Sequence, residues 1–281
     1  MLTARQRRSV LLLLTPTTGW LLVFFFVPLA IMAAYSFAAR GTYGGVDFIY
    51  SLDNYRRALD PIFVKLLLKS CLMAVAATAV TLAMGYPLAH WISFHGGPRK
   101  GILMLLVVIP FWTNFLIRIY AWMLLLNDHG VVNSALALFG IREIRFLYNN
   151  KAVLLGLVYG YLPFMVLPIY NSLEKLDRTL LEAAHDQGAT RFQALMRVTI
   201  PLAMPGIVAG CLLTFIPAVG AFVVPDLLGG PHAYAIGNLV TDQFLKARNW
   251  PFGAALSFLL ILLVLAGVVL YLRMNAREEE T

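Results

Sequence analysis

The chain has 281 residues, 60% of them hydrophobic and 13% charged, with a mean hydropathy of +0.78. Soluble domains run about 45–50% apolar and about 25% charged, so the composition excludes an ordinary water-soluble domain and points to an integral membrane protein. The net charge of +8 does not indicate nucleic-acid binding, because the basic residues sit in short groups beside apolar runs, where they can face lipid headgroups.

In chain order, Arg5, Arg7 and Arg8 precede an apolar run from Val10 to Ala38. This run is far longer than the roughly 7–15 residues of a signal-peptide core. It reads as a retained first membrane helix, with Pro16 and Pro28 permitting a break. Further runs of the roughly twenty residues needed to cross a bilayer cover Leu66–Phe94, Gly101–Leu126, Ala152–Ser172, Val198–Val224 and Phe252–Leu272. The expectation is an all-α membrane protein with six crossings. A barrel is excluded because it needs short alternating segments. Cys71 and Cys211 lie inside apolar runs and read as small buried hydrophobes.

Six crossings place both termini on one side. The amino tail, the turn at 95–100, the loop at 173–197 and the carboxyl tail hold about 11 Lys/Arg in about 50 residues. The other three loops hold about 9 in about 80, including Arg56, Arg57, Arg142 and Arg145. This bias puts both termini in the cytoplasm.

One loop departs from the rest. Residues 182–201 read EAAHDQGATRFQALMRVTIP, which brings two acids and two arginines between apolar runs. Leu180, Leu181 and Ala184 share a helical face, with Glu182 and Asp186 displaced from it. Ala183 and Ala184 allow close approach of a partner backbone. Gly188 suits a turn that costs other residues more. A second short helix, Thr190 to Arg197, can follow, and Pro201 and Pro205 suit the start of a membrane helix. Periodicity alone leaves open whether this is a two-helix docking knob or an ordinary solvated loop.

Glu182-Ala183-Ala184, Gly188 and Val198-Thr199-Ile200-Pro201 resemble the "EAA" motif of ABC-importer permeases, which runs E-A-A, three residues, G, nine residues, I-x-L-P. Val198 and Ile200 stand for the usual Ile and Leu. Three further groups of residues are similar to the inner-membrane permease of spermidine/putrescine importers. They are Ser51–Arg56; Pro110–Asn114 with Leu116–Arg118 and Tyr120–Trp122; and Asp226–Gly230 with Trp250–Gly253. The similarity covers nearly the whole chain. It implies the type I ABC-importer permease fold, a single transmembrane domain over residues 1–281 and a coupling-helix loop at about 174–200. It also implies a multi-pass protein of the bacterial inner membrane. Glu182, Ala183, Ala184, Gly188 and Pro201 would then form the ATPase-coupling element, with Glu182 an anchoring charge. The implied partners are an ATPase dimer, a second permease of a different chain, a periplasmic binding protein, a polyamine and membrane lipid. The chain contains no G-x-x-x-x-G-K-[ST], so ATP would be bound by the separate subunit and this chain would need no cofactor.

Arg118 falls inside the third run, where insertion scales charge about 2.5–3.5 kcal/mol for a cation. It reads either as a gate residue sharing an environment with Thr113 and Asn114, or as a packing clamp bonded to carbonyls of a neighbouring helix. The clamp is favoured because an exposed arginine would repel a cationic substrate. A polyamine needs acids and rings. Asp128, Asp226 and Asp242 supply the first, and Trp112, Tyr120, Trp122, Tyr159 and Tyr161 the second, although rings near helix ends also build interfacial belts. Asp226 is the best single acid, beside a helix made deformable by Pro217, Gly220 and Pro225. The histidines show no metal-ligand spacing. The competing readings are an importer for another small solute, such as an aminophosphonate or metal complex, and a stand-alone carrier. An intramembrane enzyme lacks any nucleophile–base or metal constellation.

Overall fold

The computed structural model describes residues 4–278 of the chain. The side chains of Arg5, Arg7 and Arg8 and of the carboxyl tail, invoked for orientation, lie outside the described residues. Among the described residues, six helical stretches are long and apolar enough to cross a membrane: Leu14–Ser36, Pro61–His95, Phe115–Leu138, Asn150–Glu174, Arg191–Val219 and Trp250–Val269. The expected number of crossings is met. The third stretch begins later than the sequence suggests.

The chain forms two compact units, one of residues up to 64 and from 239 on, the other of residues 65–238. In the first, helix α1 (Ala4–Ser36) packs along α12 (Trp250–Glu278). Strands β1 (Ala39–Arg40) and β2 (Val46–Asp47) pair antiparallel, and a short helix α2 (Asp53–Ala58) follows. Asn54 Nδ2 donates to the carbonyls of Ser36 (3.1 Å) and Ala38 (2.8 Å), and Tyr55 Oη lies 2.7 Å from Ser36 Oγ. The Ser51–Arg56 stretch thus satisfies the carbonyls that α1 leaves open at its end. Arg57 stands over the ring of the fully buried Phe252 at 4.5 Å.

The second unit is built on α3 (Pro61–His95), α7 (Asn150–Glu174) and α10 (Ile200–Val219). Its tightest seam joins α7 to α10. Gly206 and Gly210 on α10 sit one turn apart. A Cβ on Gly206 would collide with the Pro168 carbonyl and Ser172, and one on Gly210 would lie 2.9 Å from Met165 Sδ and 3.0 Å from Met165 O. In lipid, apolar surface is no driving force for association, so helices join through such close backbone approach. Met165, Val166 and Ile169 are fully buried behind this seam, with Ile92 of α3 and Ala203 of α10.

Two expected helices are interrupted. The Gly101–Leu126 run divides into α4 (Lys100–Trp112) and α5 (Phe115–Leu126). Pro110 removes a backbone donor near the end of α4, Thr113 is extended (ψ 152°), and Asn114 Oδ1 accepts from the N–H groups of Leu116 (2.9 Å) and Ile117 (3.4 Å). Asn114 is therefore a helix cap, which gives its side chain a local partner. A further helix, α6 (Val131–Leu138), follows a turn, and buried Asn133 bonds the Asn127 carbonyl and both backbone groups of Ile144. The fifth run ends at Val219 instead of Val224. Its Gly220 cap leads to a wide turn, Pro225–Gly229, whose Leu228, with Val224, packs on Gly156 of α7.

Gly206→Ala is expected to push α10 from α7 and cost about 1–3 kcal/mol, whereas Gly101→Ala, with open space at its Cβ, leaves stability unchanged. Thermal unfolding midpoints in detergent check this, and equal midpoints for the two variants would refute the seam.

Candidate functional site

The residues of the anomalous loop fold into a compact elbow between α7 and α10. Helix α8 (Thr179–Asp186) carries Glu182, Ala183 and Ala184, and α9 (Arg191–Ala194) follows. Gly188 has φ +83°. Its N–H donates to the His185 carbonyl (2.9 Å) and that of Ala189 to the Ala184 carbonyl (3.0 Å). This is a complete left-handed helix stop. No atom lies within 4 Å of the Gly188 Cβ position, so backbone angle, not space, requires glycine there.

Helix α9 opens with a reciprocal cap. Thr190 Oγ1 accepts from the Gln193 N–H (3.3 Å), and Gln193 Oε1 accepts from the Thr190 N–H (2.9 Å). The expected second helix, Thr190 to Arg197, is α only through Ala194. Residues Leu195–Thr199 form a wide turn running directly into α10, with Pro201 in its first turn.

Leu181 and Ala184 are half-buried, while Glu182, Ala183 and His185 are exposed. Leu180 is 47% exposed, so it leaves the expected shared face. With Phe192 (66%) and Met196 (46%) it gives the elbow large apolar side chains that this chain leaves largely exposed. A cavity of about 620 Å³ lies between the elbow and the end of α3, lined by His90, His95, His185, Arg191 and Phe94, among others.

The elbow is anchored by a polar network that sequence reading missed. Glu174, the last residue of α7, accepts from Ser93 Oγ of α3 (2.8 Å) and from Lys100 Nζ of α4. Arg178, immediately before α8, donates from Nη2 to the Ser93 carbonyl (3.2 Å) and stands 5.6 Å from the centre of the Phe94 ring. Asp177 beside it accepts from the Thr179 N–H at 3.0 Å, which holds its carboxyl below the usual range. The one available signal was the clustering of charges at helix ends, and pairing across 74 and 81 residues cannot be read from spacing.

The path candidates do not form one site. Arg118 is 9% exposed, stacked near the rings of Phe111 (5.5 Å) and Phe115 (5.7 Å), and its Nε has no hydrogen-bond partner. The expected carbonyl clamp is replaced by aromatic faces. Trp112 (75%) and Tyr120 (48%) are exposed, with Tyr120 two residues and so just over half a turn from Arg118. Tyr159 is half-buried and makes an edge contact with Trp122 at 5.4 Å. Asp128, in the turn between α5 and α6, and Asp226, in the 225–229 turn, are exposed.

Six crossings with a capped elbow before the fifth define a type I importer permease. The structure superposes on that of a bacterial alginate ABC transporter in complex with an alginate pentasaccharide-bound periplasmic protein. The TM-score is 0.75 over 98% of this chain and 97% of that one, at 20% identity. The model of the family "Binding-protein-dependent transport system inner membrane component" matches residues 9–277, and the chain belongs to that family. It is 45% identical over 257 residues to the spermidine/putrescine transport system permease protein PotB of Escherichia coli (strain K12), covering 91% of this chain and 94% of that protein. It is 43% identical to PotB of Haemophilus influenzae over 259 residues, covering 92% and 91% of the two.

Glu174→Ala leaves the buried Ser93 hydroxyl and the Lys100 ammonium without their acceptor, at an expected cost of about 1–3 kcal/mol. Limited proteolysis between Glu174 and Thr179 is expected to accelerate several-fold in this variant and not in Glu182→Ala. Equal cleavage rates would show that the network does not hold the elbow.

Proposed function

We infer that this chain is one permease of an ATP-driven, binding-protein-dependent importer for polyamines of the spermidine/putrescine type. The carrying observation is the elbow: a rigid, doubly capped pair of helices that bears the E-A-A and glycine residues and presents uncovered Leu180, Phe192 and Met196. Such a patch fits a protein partner. The 45% identity to PotB over 91% of this chain supports the polyamine assignment.

In this reading the elbow faces the cytoplasm, as do both termini, and docks on an ATPase dimer that binds the ATP. Glu182 anchors it, Ala183 and Ala184 permit close contact, and Gly188 and Pro201 fix its ends. A second permease completes the pathway, and a periplasmic binding protein delivers the cargo. The whole chain acts as one permease domain in the inner membrane, without a cofactor of its own and with no enzymatic role. ATP-driven closure of the ATPases draws the elbows together and opens the pathway outward, and hydrolysis resets it.

The exposed rings of Trp112 and Tyr120 and the carboxylates of Asp128 and Asp226 supply the surfaces a polycation needs, with Tyr159 behind Trp122 as support. Arg118, withdrawn onto its phenylalanines, keeps its charge off that surface. Asn114 fixes the break that sets the direction of α5.

Glu182→Lys and Gly188→Pro are expected to insert normally and abolish uptake of labelled spermidine by the reconstituted importer. A cysteine at Gln187 should react with impermeant maleimide only after the cells are opened. Normal uptake in both variants, labelling of intact cells, or transport by this chain alone would each defeat the reading.

A further inference from the structure

A second feature lies at the other end of the bundle. Glu174 leads from α7 into the elbow, so Lys151, the second residue of α7, marks the opposite end of that helix. There α3 and α7 enclose a groove of about 460 Å³. Its walls are apolar: Leu68 and Leu72, one turn apart on α3, face Leu154 of α7. Its rim is cationic, with Lys65, Lys69 and Lys151 and no acidic residue among the lining side chains.

Leu68 and Leu72 are 61% and 62% exposed, as a side chain in contact with hydrocarbon would be. Lys69 is held in place, donating from Nζ to the carbonyls of His232 (2.8 Å) and Tyr234 (3.3 Å). Among the described residues, neither Lys65 nor Lys151 takes part in an ion pair. Lys65 stands four residues into α3 and Lys69 eight, which is about 6 and 12 Å along the axis. Cations at that depth, on long stems, reach for the headgroup layer.

We propose that this groove binds one anionic phospholipid of the bilayer. Its phosphate sits between Lys65 and Lys151, with Lys69 beneath, and one acyl chain lies along Leu68, Leu72 and Leu154. The charge selects the ligand. Three cations without a counter-ion repel a polyamine and attract a phosphate. The apolar walls favour a lipid over a free anion, which would leave them empty. The proposal needs only that the chain spans the membrane, and stands apart from the identity of the transported solute.

The test is native mass spectrometry of the full-length chain exchanged into micelles containing equal phosphatidylglycerol and phosphatidylcholine. Wild type is expected to retain phosphatidylglycerol in preference. Lys65→Gln with Lys151→Gln should lower that retention about tenfold and leave phosphatidylcholine unchanged. Leu72→Trp, which fills the groove without altering charge, should lower it as well, with circular dichroism unchanged in both variants. Equal phosphatidylglycerol retention by wild type and both variants overturns the site. So does crosslinking of a Leu72→Cys variant to a second polypeptide in place of a photoactivatable phosphatidylglycerol, since the groove would then be a protein interface.

Discussion

The constraint on which the second unit depends is the absence of a hydrophobic drive between helices in lipid. With no water to expel, α7 and α10 stay together only through close backbone approach, and Gly206 and Gly210 make it possible by bringing α10 onto Pro168 and Met165. The consequences run in both directions along the helices. Toward the elbow, α7 and α10 end side by side, and residues 175–199 between them fold back as two short helices joined by the Gly188 stop and the Thr190–Gln193 cap. Toward the other end, α7 meets the 225–229 turn, where Val224 and Leu228 occupy the space over Gly156. One seam of small residues thus sets the placement of both the elbow and the exposed Asp226.

The elbow shows how polar groups are satisfied once the chain leaves the lipid. A stop at Gly188 and the reciprocal Thr190–Gln193 cap close the orphan groups of α8 and α9 locally. The elbow's tie to the membrane helices is charged. Glu174 gathers Ser93 and Lys100, and Arg178 returns to the Ser93 carbonyl. Its outer face is left apolar at Leu180, Phe192 and Met196. Two kinds of surface on one small element, one paired inward and one uncovered outward, are the mark of a part that completes its packing in an assembly.

The crossings were legible because length and composition alone decide whether a segment spans a bilayer. The Gly188 turn was legible because a single residue type answers a backbone angle. What the residues hid has a common cause. Hydropathy sums over a window, and so runs through the Thr113–Asn114 break, where one Pro and one side-chain cap divide a helix without changing its polarity. For the same reason Asn114 looked like a polar residue at membrane depth when its oxygen is spent on its own backbone. Arg118 was placed inside the third apolar run, with its partners left open between a gate environment and neighbouring carbonyls. Phe115, three positions before it on the same helix, is its neighbour by helical spacing, while Phe111 lies on α4, beyond the break at Thr113–Asn114.

The distribution of missing backbone hydrogen bonds indicates where this fold can bend. Between α8 and α9 the Gly188 stop and the Thr190–Gln193 box satisfy the adjoining helix ends. The stretch Leu195–Thr199 is different. Its wide turn has a looser hydrogen-bond pattern than an α-helix, and Pro201 and Pro205 just beyond it each remove a donor. At the other end of α10, Pro217 and the Gly220 cap loosen the last turn in the same way. The helix is therefore a stiff seam, held at Gly206 and Gly210, between two soft ends. Displacement of the elbow must either shear that seam or be absorbed at 195–199. Because close-packed glycine contacts are bistable rather than continuously deformable, the mechanical choice lies between rigid movement of α7 with α10 as one body and yielding of the wide turn. Glu174 and Arg178 favour the first, since they bind the elbow's entry to α3, α4 and α7 together and leave the 195–199 turn with less freedom to move alone.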